Sequence, residues 1–274
     1  MLDIVNDWQE LESKHLILKY RKTAYSNMFL DQDKMIPAIA GGMVRILTLE
    51  DSTWITVSDH DLDQVFFVAA DESSFGAGFD ILTRYVSRRV KINIFCNDRK
   101  NDLLMSMSRL GLNEYSMFER YQRIIGTEEY YASPTNEILV ATNNHVNLIL
   151  DLFKRCFDPV DDEIPSCLEM EYLIKNRDVR IVLRGEKLVG CLITKTSGSL
   201  STLQHIAVDE LYRRQKIASD LVRYYLSDCT MRSISRILLW VRSTNESAKS
   251  YYRSFGFHKQ GLRKYVFLKG DNYA

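Results

Sequence analysis

Apolar residues recur at helical spacing twice in the second half of the chain: Val146, Ile149, Leu150, Phe153 and Phe157, then Ile217, Leu221, Val222, Tyr225 and Leu226. Residues three or four apart share one helix face, so each set predicts an amphipathic helix. Between them the pattern changes to short β-branched and apolar runs. Stretches 179–183, 188–196 and 203–208 read as strands, joined by turns at Gly185-Glu186 and Ser197-Gly198-Ser199. A short strand at 137–142 and a short helix at 166–174 are also expected. A buried strand at 237–241 follows, then a helix at 246–254 stopped by Gly256, and a closing strand at 264–268. The order is strand, two helices, three strands, helix, strand, helix, strand.

The first half carries weaker signals. A helix is expected at 11–23, and strands at 43–49, 53–57, 65–69, 90–95 and 118–124. Gly76-Ala77-Gly78 opens an apolar-periodic stretch through Ile81, Leu82, Tyr85 and Val86, and a helix follows at 103–110. Residues 126–136, polar and containing Pro134, are the expected join between halves. The halves also align: an offset of 140 (208 − 68) places Val68 on Val208, Asp80 on Asp220, Tyr85 on Tyr225 and Gly76-Ala77-Gly78 on Lys216-Ile217-Ala218. An offset of 145 (256 − 111) places Gly111 on Gly256, with Met107 where Tyr252 stands.

Composition narrows the function classes. Lys plus Arg and Asp plus Glu are 36 each in 274 residues, so no global basic field exists to hold a nucleic-acid backbone or an acidic membrane. Five scattered cysteines, Cys96, Cys156, Cys167, Cys191 and Cys229, form no CxxC pair and argue against a disulfide framework or a zinc knuckle. His15, His60, His145, His205 and His258 show no ligand spacing, so no metal is expected. The acidic opening lacks a basic n-region, and no apolar run is long enough to span a bilayer. The expected compartment is the cytoplasm.

Two stretches carry chemistry. In Gln204 to Ser219 an apolar strand ends at Val208, a polar loop follows, and a helix begins near Lys216. A helix start exposes unpaired N–H groups and a partial positive charge, which together favour a phosphate. Arg213, Arg214 and Lys216 add three cations, although such a loop can also be a solvated turn. In the second stretch, Asn245 to Phe257, Tyr252 lies seven residues after Asn245 (252 − 245) and so shares its helix face. Tyr252 reads either as a core aromatic or as a functional phenol.

Together these stretches resemble the GNAT acetyltransferase superfamily. That family has a strand ending in Val and then a loop of the form Q/R-x-x-G-x-G/A, matched here by Arg213-Arg214-Gln215-Lys216-Ile217-Ala218. It also has N-x-x-A-x-x-x-Y-x-x-x-G-F after a later strand, filled here by Asn245, Ala248, Tyr252, Gly256 and Phe257. The resemblance covers about residues 137–268 and departs at Lys216, which stands in a Gly position. Because a helical residue has negative φ, Lys216 is expected to be tolerated there, with weaker cofactor affinity.

The resemblance implies an α/β (α+β) fold of two GNAT-like domains, 1–130 without catalysis and 136–274 catalytic. Each would be a mixed, mostly antiparallel sheet flanked by helices, with a splayed central strand pair. It implies transfer of an acetyl group from acetyl-CoA (coenzyme A) to a primary amine by direct attack. The acceptor is expected to be a small molecule; a peptide acceptor or a non-catalytic acyl-CoA sensor are the rivals. Coenzyme A would be held by Ile206, Ala207, Val208, Arg213, Arg214, Gln215, Lys216, Ile217, Ala218, Ser219, Asn245 and Tyr252, with a second site at Gly76, Ala77 and Gly78. Tyr252 would donate a proton to the leaving thiolate. His205 and Glu169 are candidate bases, although His205 also reads as a packed strand residue. Asp158, Asp161, Asp162 and Glu163 would attract a cationic amine, unless they form only a solvated loop. A homodimer is compatible with the sequence, which does not fix the oligomer.

Overall fold

A computed structural model describes residues 2–19, 25–28, 30–59, 62–86, 89–97, 102–126 and 133–270. The chain divides into two compact units that do not follow a single cut in the sequence: Met1–Phe118 with Gly261–Ala274, and Glu119–Gln260. The elements run β1 (Asp3–Ile4), α1 (Trp8–Lys19), β2 (Tyr25–Ser26), α2 (Gln32–Ala40), β3 (Val44–Thr48), β4 (Ser52–Asp59), β5 (Leu62–Ala69), α3 (Glu72–Thr83), β6 (Arg89–Asn97), α4 (Asp102–Arg109) and β7 (Asn113–Ile124). They continue with β8 (Leu139–Val140), α5 (Val146–Cys156), α6 (Cys167–Lys175), β9 (Val179–Arg184), β10 (Lys187–Ser197), β11 (Leu200–Val208), α7 (Ile217–Met231), β12 (Arg236–Arg242), α8 (Glu246–Ser254) and β13 (His258–Lys269). Three strands, helix, strand, helix, strand occurs twice, at β3 to β7 and at β9 to β13. Most of the join at 126–136 lies outside the described residues.

In the second unit the strand order is β7-β12-β11-β10-β9-β8. The α7 stripe Ile217, Leu221, Val222, Tyr225 and Leu226 packs on one face with Val182, Leu192, Ile237 and Leu239. Helices α5 and α6 cover the other face, where Ile149, Phe153 and Met170 meet Ile181, Cys191 and Ile193. Each fully buried side chain of this kind is worth about 1.5–3 kcal/mol, so the two helix layers stabilise the sheet from both faces. Gly190 on β10 is a packing requirement: a Cβ there would stand 2.6 Å from Ile217 Cγ2. The missing side chain lets the first turn of α7 press onto the sheet.

The central strand pair of this unit splays. β11 pairs parallel with β12 only from Leu200↔Arg236 to Leu203↔Leu239. Its other edge stays paired with β10 as far as Gly190↔Val208, with a register shift between Ile193 and Thr194. Residues 204–208 therefore present an edge free of β12.

The first unit has the order β1-β3-β4-β5-β6-β13, with β2 added to β5. Its core is aromatic: Trp54 stacks on Phe67 and Phe75 at 5.1 and 5.4 Å, and Phe79 lies beside them. Helix α2 was not expected from the pattern, because Pro37 inside it reads as a breaker. The two-residue strands β1 and β2 are too short to show a period.

Candidate active site

Beyond Val208 the chain turns through Asp209, whose side chain accepts from the Leu211 N–H at 3.1 Å. Lys187 and Arg155 pair with the same carboxylate at 3.2 and 3.3 Å. Burial works against its charge, and these partners outweigh burial, so the carboxyl lies below its ordinary range. This anchored turn fixes the direction of the loop that leads to α7.

Within that loop Arg214 and Lys216 both have left-handed backbone, at φ 63° and 61°. Lys216 is thus the N-cap of α7 rather than a helical residue, which overturns the expectation of negative φ at this position. Its side chain makes no capping bond, and the first N–H to close on a loop carbonyl is that of Asp220, on Lys216 O at 2.8 Å. Successive N–H groups ahead of a helix, with left-handed turns between them, form an anion-binding concavity. Arg213, Arg214, Gln215 and Lys216 are all exposed around it.

Left-handed backbone costs an L-residue about 1–2 kcal/mol, against about 0.5–1 kcal/mol of extra chain entropy for glycine. Lys216→Gly is therefore expected to raise stability by about 0.5–1 kcal/mol by denaturant titration, with coenzyme A affinity unchanged or better. Lost binding would instead make the ammonium itself the phosphate ligand.

The loop is buttressed from below by residues that sequence reasoning missed. Asp220, fully buried on α7, accepts from Thr135 N, Thr135 Oγ1, Asn136 N and Asn136 Nδ2 at 2.7–3.0 Å. Burial opposes its charge, but these bonds hold the carboxyl below its usual range. Asn136 Nδ2 also reaches Gln215 O at 3.4 Å, which ties the loop to the same latch. An Asp inside an apolar helix stripe was the available signal, since a buried charge needs partners.

Tyr252 is 7% exposed and lies in the cluster against which Ile206 and Val208 pack. Its neighbours include Phe257 and Tyr251, with ring centroids at 5.8 and 5.5 Å. Burial, aided by Tyr251, pushes its pKa well up, so the phenol keeps its proton. Asn245 caps α8 by accepting from Ala248 N at 2.9 Å, and Gly256, at φ 76°, ends it. Tyr251, unremarked in the sequence, faces Ser219 in the first turn of α7, and burial pushes it up to about 12.

Both candidate bases have structural partners of their own. Glu169 is spent on a capping box: its carboxylate accepts from Ser166 N at 2.7 Å while Ser166 Oγ accepts from Glu169 N. The S-x-x-E spacing was legible in the sequence. His205 packs against Phe153 and Phe157, with centroids at 5.4 and 5.5 Å. The acidic run is largely self-engaged. Arg242 pairs with both Asp158 and the buried Asp161. Asp158 Oδ1 accepts from Val160 N at 2.8 Å, and Asp162 accepts from Asp158 N at 2.9 Å. Burial raises the Asp162 carboxyl, so the run presents less free negative charge than four carboxylates suggest.

The residues of the second expected cofactor site, Gly76, Ala77 and Gly78, do not stand at a helix start. These residues lie inside α3, which begins at Glu72. Gly78 serves packing: a Cβ there would stand 2.3 Å from Trp54 Nε1. Only Ala70 and Asp71 separate β5 from α3, whereas residues 209–216 separate β11 from α7. The helix tip is also closed by Asp71, whose carboxylate accepts from Ser74 N at 2.8 Å. The bonds from Ser74 hold that carboxyl below its ordinary range, so a negative charge already stands where a phosphate would dock.

Residues 146–257 match the family model described as Acetyltransferase (GNAT) family. The chain contains a GNAT domain. A curated relative, the [Ribosomal protein bS18]-alanine N-acetyltransferase of Escherichia coli (strain K12), is 31% identical over 85 residues, which span 31% of this chain and 57% of the relative. A tandem GNAT protein from the clavulanic acid biosynthesis pathway superposes with TM-score 0.62 at 8% identity, covering 100% of this chain and 99% of its own. A GCN5-related N-acetyltransferase from Sphaerobacter thermophilus superposes with TM-score 0.61 at 12% identity, over 88% of this chain and 82% of its own. At these identities the superpositions show the fold alone, the mixed α/β, mostly antiparallel fold expected from the sequence. No helix among the described residues is long and apolar enough to cross a membrane.

Proposed function

We propose that the second unit of this chain transfers an acetyl group from acetyl-CoA to a primary amine. The observation that carries the reading is the splayed β11 edge running into an uncapped, left-handed loop ringed by exposed Arg213, Arg214 and Lys216. These residues fit the cofactor: the loop N–H groups and the three cations suit a diphosphate, and the free edge at Ile206, Ala207 and Val208 suits an amide-bearing arm. When bound, the thioester supplies an activated acyl group.

This chain's own groups do the rest. Backbone N–H groups on the free β11 edge stabilise negative charge developing on the acyl oxygen. Tyr252, held protonated by burial, donates a hydrogen bond to the departing sulfur. The hydrophobic cluster around it keeps water from the sulfur.

The acceptor was first expected to be a small amine. A second reading, a peptide α-amine, is favoured by the relative that acts on a ribosomal protein alanine, and by the engagement of Glu169 in a helix cap. An α-amine of pKa near ~8 needs little help in losing its proton, whereas a lysine-type amine near ~10.4 needs a base.

Two measurements test the reading. Replacing Arg213 and Arg214 together by Glu is expected to weaken acetyl-CoA binding at least roughly ten-fold by calorimetry, since each charge-assisted bond is worth about 1.5–3 kcal/mol. Thiol release with small amines and with Ala-initiated peptides then assigns the acceptor. Unchanged binding in the double variant, or no thiol release with any amine, refutes the enzyme.

A further inference from the structure

The parallel pair of the first unit splays as the second does. β5 pairs with β6 only from Leu62↔Arg89 to Val65↔Ile92, as β11 pairs with β12 only as far as Leu203. Counting onward from the last paired residue, Phe67, Val68 and Ala69 correspond to His205, Ile206 and Ala207, an offset of 138 (203 − 65) in place of the 140 read along the sequence. In the second unit that edge is free of β12. In the first it is taken.

The occupant is a piece of the same chain. β2 pairs antiparallel with β5 at Tyr25↔Ala69 and Ser26↔Val68. Asn27 continues the ladder, with its N–H donating to Phe67 O at 3.1 Å. Its side chain then spans the gap. Oδ1 accepts from Phe67 N at 2.6 Å, and Nδ2 donates to Val65 O at 3.0 Å on β5 and to Asn93 O at 3.1 Å on β6. Asn27 is 1% exposed, so these bonds form out of water, where leaving any of the partners unmet would cost about 1–3 kcal/mol. Tyr25 stacks on Phe75 of α3 at 5.8 Å, which fastens the segment to that helix.

We propose that Tyr25, Ser26 and Asn27 are a built-in occupant of the first unit's cleft. They satisfy the β5 edge as a pantetheine arm would satisfy the β11 edge, and the chain therefore loads one acyl-CoA, on the second unit alone. The proposal rests on the reading that the second cleft takes acyl-CoA. An amide side chain and two backbone amides are a close chemical match to an arm that itself carries two amides. The missing phosphate loop and the carboxylate on the α3 tip remove the other half of a coenzyme A site, so a withdrawn plug would still leave no diphosphate cradle.

The test is hydrogen exchange by mass spectrometry on the full chain, free and with coenzyme A, together with calorimetric stoichiometry. One equivalent is expected to bind. Peptides covering 204–219 should gain protection with the ligand. Peptides covering 62–69 should be protected already in the free protein and should not change. Asn27→Ala should speed exchange at 62–69 by at least roughly ten-fold and recruit no second coenzyme A. Two equivalents, or ligand-dependent protection at 62–69, overturns the proposal, as does an Asn27→Ala variant whose exchange there is unaltered. If coenzyme A does not bind at all, the reading of the second cleft and the one-per-chain stoichiometry fall. Protection at 62–69 and its loss in Asn27→Ala still decide whether the first cleft is filled.

Discussion

A fragment of residues 136–274 is expected to give no folded monomer, although its sequence contains the whole matched GNAT segment. Its central strand β12 has β7 as its outer neighbour, and β7 comes from the first half of the chain. Cutting at 136 removes the fully buried Tyr121 and the buried Ile125 from the cluster around α7. It also removes the Ile125 N–H bond to Ser235 O at 3.0 Å, and the Thr135 bonds that satisfy buried Asp220. Glu119 goes too, which pairs with Lys259 at 2.5 Å and stands 3.9 Å from the buried Lys249. Loss of one large buried aromatic side chain costs about 3–5 kcal/mol, and a domain holds only about 5–15 kcal/mol in all. The β12 edge left bare is in addition a site for pairing between chains. Size-exclusion chromatography and thermal melting check this. Aggregation or a non-cooperative melt is expected. A monomer melting within a few degrees of the full chain would show that β7 is dispensable.

The second large effect is on turnover. Tyr252→Phe is expected to lower kcat about ten-fold or more while the dissociation constant for acetyl-CoA stays within about two-fold. Removing the hydroxyl leaves the ring packing on Phe257 and Tyr251, so the fold and the diphosphate loop are kept. What is lost is a donor to the sulfur that matters only as the thiolate departs, and such a loss falls on kcat rather than on binding. Because burial keeps the phenol protonated, ionisation of Tyr252 should not shape the activity profile at ordinary pH. Single-turnover kinetics with calorimetry separate the two constants. A variant with full turnover removes Tyr252 from the chemistry and leaves it as core.

Helices and strands of the second unit were readable along the chain because each has one buried face. Ile217, Leu221, Val222, Tyr225 and Leu226 are all buried as their spacing requires, and the helix at Glu246–Ser254 is bounded as its Asn245 and Gly256 signals specify. The two motifs marked the loop and the phenol. Three-dimensional pairing decided what periodicity cannot encode. Lys216 takes a left-handed backbone just ahead of Ile217, which packs onto Gly190, a contact between residues 27 apart (217 − 190). Gly76-Ala77-Gly78 aligned with Lys216-Ile217-Ala218 by an offset of 140 (216 − 76), yet Trp54 needs the space above Gly78 and the helix begins earlier. Glu169, a candidate base by position, closes a capping box with Ser166. The short segment at Tyr25 and Ser26 has no period at all, and its place beside β5 is set by hydrogen bonds to residues far along the chain. Local pattern specifies which face of an element is buried. Which partner buries it, and which edge is left free for a ligand, depends on contacts between residues distant in sequence, and those exist only in the folded chain.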